Sequence, residues 1–359
     1  MTPPPAAPPA PPGPATCRTA VVRAVGTCLP APVVGNDEVI ALGGLDTSHE
    51  WITSRTGIHR RRYAPPGTST GDLAVAAGRA ALDAAPGTPR PGLVLLATTT
   101  PDRPCPATAP DVAHRLGLGT VPAFDLSAVC SGFLYGLVTA TALLRADVCR
   151  SVLLVGAETY TTIIDPYDRD TAPLFGDGAA AVLLRGGGSD EPGAVLATDW
   201  GSDGSGGDLV AIAAGGSRAP RSGSPPGRDD TYFRMRGRPV YAHAVRRMTA
   251  SARTALDATG WKADDVRAFI GHQANQRILD AVADRLGIAP AHRYGNIADV
   301  GNTAAASVPL ALAAALEGPG PPTPGAATLL TAFGGGLTWA SATLRWPAVR
   351  PNTAPAPRA

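Results

Sequence analysis

Short, continuous apolar runs alternate with longer alanine-rich stretches along most of the chain, and the apolar spacing differs between the two. The runs Leu93 to Ala97, Ser151 to Gly156, Ala179 to Leu184, Arg267 to Ile270, Ala327 to Ala332 and Ala340 to Leu344 predict strands. Most show no polar alternation, so both faces should be buried. The stretches Thr70 to Ala85, Ala109 to Leu116, Gly132 to Arg145, Val240 to Thr259, Gln276 to Leu286 and Ala304 to Leu316 predict helices. In Gln276 to Leu286, for instance, Ile278, Leu279, Val282 and Leu286 fall on one face, as positions three and four apart do on a helix. Strands alternating with helices define an α/β protein.

A weak internal repeat divides the chain. Phe175-Gly-Asp-Gly-Ala-Ala-Ala-Val-Leu-Leu-Arg185 resembles Phe333-Gly-Gly-Gly-Leu-Thr-Trp-Ala-Ser-Ala-Thr-Leu-Arg345, each preceded by a buried strand. Ahead of each strand lies an alanine-rich helix, beginning just after Cys130 in one copy and just after Asn302 in the other. Two copies of one unit are expected, and a duplicated fold brings the two helix starts together. The divisions are 1–17, a disordered Pro/Ala-rich tail; 18–190, an N-terminal half; 191–346, a C-terminal half; and 347–359, a C-terminal tail. Asp199 to Asp230, rich in Gly, Ser, Pro and Asp, reads as the loop between the halves.

Composition narrows the possibilities. The 359 residues carry 31 basic and 29 acidic side chains and are 44% hydrophobic, which suits a chain with a sizeable core and excludes a coiled coil, a collagen or a nucleic-acid-coating protein. Lys262 is the only lysine, so isolated arginines carry little information. The five cysteines contain no Cys-x-x-Cys pair; neither a disulfide framework nor a thiolate metal site is expected, and a reducing cytoplasm suits them. Residues 1–15 lack the basic and apolar segments of a secretory signal. The apolar stretches fall short of the ~20 residues a membrane-spanning helix needs.

Cys130 sits where a strand-like run, Phe124 to Leu126, meets an apolar helix. Unpaired N–H groups and the positive end of the helix dipole at that point favour thiolate, hence nucleophilicity; taken alone, Cys130 also suits a buried inert thiol. His272 lies in Gly271-His-Gln-Ala-Asn-Gln-Arg277, between a strand and a helix, where active-site residues of α/β folds gather; a hydrogen-bonded structural histidine is equally consistent. Asn302 precedes an alanine-rich helix and reads on its own as an N-cap. Together the three allow two chemistries. The order Cys, His, Asn matches a papain-like protease, but the local cysteine signature of such enzymes is missing. In thioester chemistry, His and Asn both donate to a substrate carbonyl and stabilise the enolate left when a malonyl thioester loses CO2. Gly334-Gly335-Gly336 beside a strand end would let a backbone N–H approach an acylated Cys130.

Several segments in order resemble the β-ketoacyl-acyl carrier protein synthase III family of the thiolase superfamily, from about Arg18 to Trp346. They are Trp51-Ile-Thr-Ser-Arg-Thr-Gly-Ile58, Ala128-Val-Cys-Ser-Gly-Phe133, Asp165-Pro-Tyr-Asp-Arg-Asp170 with Phe175-Gly-Asp-Gly178, Gly201-Ser-Asp-Gly-Ser205, His272-Gln-Ala-Asn-Gln-Arg277, Gly301-Asn-Thr303 and Phe333-Gly-Gly-Gly-Leu-Thr-Trp339. The resemblance implies a thiolase-like, duplicated α-β-α-β-α five-layer fold and a homodimer. It implies that Cys130 takes an acyl group from acyl-coenzyme A, a substrate rather than a resident cofactor, and passes it to malonyl-acyl carrier protein by decarboxylative condensation. His272 and Asn302 then bind the malonyl thioester carbonyl, and the N–H groups of Cys130 and Gly335 form the oxyanion hole. Trp51, Arg55, Arg169 and Arg277 match the family's coenzyme A tunnel. Arg234, Arg236, Arg238, Arg246 and Arg247 form a basic segment that could meet an acidic carrier protein beside the tunnel mouth. No metal, nucleic acid or membrane is implied.

Two points bear on the reaction. Where Cys105 aligns, on a loop directed at the partner's acyl pocket, relatives often carry a larger side chain, so a roomier pocket and a polyketide-type primer longer or more branched than acetyl are expected. An acyltransferase acting on a hydroxyl or amine would often have an acid at the Asn302 position, and a non-catalytic partner subunit would lack Cys130; both residues therefore favour condensation.

Overall fold

The computed structural model describes residues 18–220 and 227–357; the tail expected at 1–17 lies outside them. Its core is two mixed sheets. The first contains β1 (Arg18–Cys28), β2 (Val94–Ala97), β3 (Ala123–Leu126), β4 (Ser151–Glu158) and β5 (Gly178–Gly188). The second contains β6 (Val195–Ser202), β7 (Ala268–Gly271), β8 (Arg293–Tyr294), β9 (Ala327–Gly334) and β10 (Thr338–Arg345). Their orders correspond: β1-β5-β4-β2-β3 in one sheet and β6-β10-β9-β7-β8 in the other. So do the directions, with the first two pairings antiparallel and the last two parallel in both. The weak repeat in the sequence is therefore a full duplication of topology.

Helices occupy three layers. α1 (Thr70–Asp83) and α2 (Ala109–Arg115) cover the outer face of the first sheet through Leu73, Ala77 and Val112. α4 (Gly237–Thr259) and α5 (Gln276–Leu286) cover the second through Met248, Ile278 and Val282. Between the sheets lie α3 (Gly132–Arg145) and α6 (Ser307–Glu317), whose Leu134, Leu137, Val308 and Leu312 share one core with both sheets. Helix starts follow local chemistry: Ser69 and Asp72 form a capping box at α1, and Asn275 accepts from the Arg277 N–H at α5.

The structure corrects several boundaries. Strand β1 has no predicted counterpart, because the exposed Arg23 and then Gly26 and Thr27 interrupt its apolar run, while a register shift between Val22 and Ala24 breaks any alternation. Asp199 to Ser202, read as linker, belong to β6. The segment 347–359, read as a tail, supplies β11 (Asn352–Ala354), which pairs in parallel with β1. The helix expected from Ala304 begins as a separate turn, Ala304–Ala306, before α6.

Candidate active site

The two central helices begin at matching tight turns. Val129–Ser131 precedes α3 and Ala304–Ala306 precedes α6, with Val129 at φ +47° and Ala304 at φ +44°. A β-branched residue in the left-handed region costs about 1–3 kcal/mol and persists only where its surroundings impose it. Here the end of β9 imposes it. A Cβ on Gly334 would lie 2.8 Å from the Cys130 backbone nitrogen, so only glycine lets the strand approach the turn. Thr338 Oγ1 lies 3.1 Å from the Ala128 and Gly335 carbonyls and 2.6 Å from Ser131 Oγ, tying turn and strand together.

Cys130, His272, Asn302, Gly334 and Gly335 line one narrow cavity of about 50 Å³. His272 follows β7, its N–H donating to the Thr331 carbonyl at 2.8 Å. Its Nδ1 lies 2.6 Å from Ser307 Oγ at the start of α6, and that oxygen accepts from the Gln273 N–H at 3.4 Å. Among the described residues the Ser307 hydroxyl has no other acceptor, so its proton is assigned to Nδ1, an arrangement that leaves Nε2 carrying hydrogen. Asn302 is clipped to the first half: its N–H donates to Leu174 and its carbonyl accepts from Gly176. Its Oδ1 accepts from the Ala304 N–H at 2.9 Å, so the group left over is Nδ2, a donor. The two side chains therefore offer the cavity N–H donors and no acceptor.

Electrostatics sharpen this. Burial pushes His272 down to about 3, so the imidazole is neutral at working pH. Cys130 departs from expectation. Burial first, and then the nearby Glu158 charge, push its thiol well above the ordinary value, outweighing its own backbone N–H, which acts the other way. The resting Cys130 side chain is a thiol; the helix-end effect is local, whereas enclosure removes the water a thiolate would need.

The depressed His272 has a measurable consequence. Its folded value of about 3 lies below the ordinary 6.5, so its contribution to stability is complete above pH 6.5 and is lost as pH falls towards 3. Between pH 6.5 and 5 the wild type is expected to lose about 2 kcal/mol more unfolding free energy than His272→Gln, read from urea titrations at both pH values.

The remaining expected residues fall in two places. The Arg169 guanidinium stacks 4.5 Å from the Trp51 ring centre and Arg55 lies 6.0 Å from it, on an exposed surface. Arg277 is exposed at the start of α5, whose Gln276 packs against Gly57 at the end of the Trp51 helix. Cys105 is exposed and does not line this chain's cavity. Of the basic segment, Arg234 pairs with Asp165 and Asp168, and Arg247 pairs with Asp203 while stacking on Trp339; Arg236, Arg238 and Arg246 are exposed. Sequence reasoning missed Ser307, Thr338, Glu158 and an aromatic wall in which Tyr160 stacks on Phe175 and Phe233 meets both edge-on. A lone acid ending the fully buried strand β4 was the available signal for Glu158.

Among the described residues no cluster of three or more side chains is suited to a metal, and no helix is long and apolar enough to cross a membrane. Residues 124–204 match the family model for 3-oxoacyl-[acyl-carrier-protein] synthase III, and residues 256–346 match the model of its C-terminal part. The chain is 56% identical to β-ketoacyl-[acyl-carrier-protein] synthase III 5 of Streptomyces coelicolor, over 91% of this chain and 97% of that one. Among solved structures it is similar to 3-oxoacyl-(acyl carrier protein) synthase III of Pseudomonas aeruginosa PAO1, with a TM-score of 0.85, 48% identity, and coverage of 93% of this chain and 100% of that one. It is also similar to the priming β-ketosynthase of the R1128 polyketide pathway, with a TM-score of 0.84, 36% identity, and coverage of 91% and 96%. The chain belongs to the β-ketoacyl-[acyl-carrier-protein] synthase III family.

Proposed function

We propose that the protein is a ketosynthase that primes type II polyketide or fatty acid synthesis. The observation that carries the reading is the pair of neutral donors, His272 and Asn302, turned into the cavity that holds the Cys130 thiol. Cys130 sulfur attacks the carbonyl of an acyl-coenzyme A; the new C–S bond replaces the old one, and the thiol proton leaves with coenzyme A. Malonyl-acyl carrier protein enters next. Its carboxylate departs as CO2, and the electron pair left behind forms an enolate whose oxygen lies against His272 and Asn302. The enolate carbon attacks the acyl-Cys130 carbonyl, with the N–H groups of Cys130 and Gly335 as the oxyanion hole. Collapse expels the Cys130 sulfur, which regains a proton, and a β-ketoacyl carrier protein leaves.

Trp51, Arg55, Arg169 and Arg277 are the residues for coenzyme A and the carrier's phosphopantetheine arm; the stacked guanidinium and indole suit an anionic nucleotide and its base. The working form is a cytoplasmic homodimer in which Cys105 of one subunit borders the other's acyl pocket. The aromatic wall keeps this chain's own cavity narrow, so room for a larger primer comes from the small side chain at Cys105. Propionyl- or isobutyryl-coenzyme A is accordingly expected to give a kcat/KM at least equal to that of acetyl-coenzyme A in condensation assays with malonyl-acyl carrier protein. A strong acetyl preference contradicts the primer assignment, and acyl transfer without CO2 release contradicts the reaction.

A further inference from the structure

Glu158 is fully buried at the end of β4, and no step above uses it. A carboxyl in such a place is costly unless its oxygens are met by donors. They are met from both halves of the chain. Oε2 accepts from the Thr100 hydroxyl at 2.8 Å and the Thr98 hydroxyl at 3.3 Å, and both oxygens lie within 3.1 Å of the Thr99 N–H. On the other side, Oε1 accepts from the Ala305 N–H at 3.5 Å. Ala305 belongs to the turn whose first N–H, that of Ala304, fixes the Asn302 amide.

The neighbouring backbone shows the same junction. A Cβ on Gly156 would lie 2.6 Å from the Ala305 carbonyl, just as a Cβ on Gly334 would lie 2.8 Å from the Cys130 nitrogen. In each half the equivalent strand, β4 or β9, runs its end against the other half's strained turn. The brace on the Cys130 turn is backbone with Thr338; the brace on the Asn302 turn ends in a carboxylate. The titratable groups facing Glu158 are Cys130 and Tyr160, each of which feels its charge.

We propose that Glu158 is a positioning residue: it anchors the Ala304–Ala306 turn to the Thr98–Thr100 segment and so holds the Asn302 amide in its donor orientation for the malonyl carbonyl. Burial raises its own titration to about 7, against the pull of the threonine donors, so both protonation states are populated near neutrality. The proposal rests on the reading of Asn302 as an enolate donor.

The test separates the two half-reactions in the full-length enzyme. Glu158→Ala is expected to lower kcat for malonyl-acyl carrier protein decarboxylation at least tenfold, with KM within about twofold and the rate of Cys130 acylation within about threefold. Glu158→Gln is expected to restore most of the decarboxylation, because its amide oxygen can accept from Thr99 and Ala305 while its NH2 donates to the threonine hydroxyls. If Glu158→Ala does not fold, Thr100→Val, which removes one holding hydroxyl, gives the same split in smaller degree. Equal loss of acylation and decarboxylation, or loss of neither, overturns the proposal, as does failure of Glu158→Gln to rescue. Asn302→Asp is measured alongside: loss there without loss in Glu158→Ala overturns only the role of Glu158, whereas full decarboxylation in Asn302→Asp overturns the reading beneath it.

Discussion

A Cys130→Ala variant is expected to gain no acyl mass from any acyl-coenzyme A and to form β-ketoacyl product at least ~10³-fold more slowly than the wild type, a loss of about 4 kcal/mol or more of transition-state stabilisation. The side chain is 9% exposed and fills one wall of the cavity, so alanine removes the nucleophile with little change of shape. The turn around it is held by contacts that do not involve sulfur: Gly334 against the backbone, and Thr338 with Ser131 and Ala128. His272 and Asn302 keep their own partners, Ser307 and Ala304. Malonyl decarboxylation should therefore survive in this variant. Intact-mass spectrometry for acylation and a CO2 assay for decarboxylation read the two outcomes separately; product formation near the wild-type rate would remove covalent catalysis from the account.

Asn302→Asp is expected to give the opposite pattern. Acylation of Cys130 proceeds, while decarboxylation falls more than tenfold, each tenfold being about 1.4 kcal/mol. In the wild type, Oδ1 is occupied by the Ala304 N–H and Nδ2 is left to donate. The aspartate keeps the first bond and replaces the second group with an anionic acceptor, placed where negative charge must develop. Asn302 is itself 5% exposed, so water cannot screen that repulsion. Undiminished CO2 release would refute the donor role of Asn302.

The legible parts of the fold were those whose burial leaves a mark on composition. Strands β4 and β9 read as unbroken apolar runs because both of their faces are covered, and α5 read as a helix because one face is solvent-exposed. Strand β1 was hidden by Arg23, Gly26 and Thr27, which break its apolar run, and β11 by being Asn-Thr-Ala, a polar strip that becomes a strand only because the edge of β1 is there to pair with it. The site shows the same division. Cys130, His272 and Asn302 stand at strand or helix ends within recognisable motifs, so they could be named. Ser307 and Glu158 act through atoms more than thirty residues away in the chain, and spacing says nothing about such contacts. The direction of the Cys130 shift was misread for the same reason: the helix start is visible in the sequence, but the enclosure of the sulfur and the carboxyl beside it arise only on folding.

The central claim is that one sulfur first holds an acyl group and then gives it up to a carbon nucleophile. The most direct measurement is the mass of the peptide containing Cys130, taken after wild-type enzyme meets acyl-coenzyme A and again after malonyl-acyl carrier protein is added. The account predicts one acyl group on Cys130 in the first sample, and its disappearance in the second as CO2 and β-ketoacyl carrier protein appear in equal amounts. Product formed while the Cys130 peptide never gains mass, or an acyl group that leaves Cys130 without CO2, would contradict it.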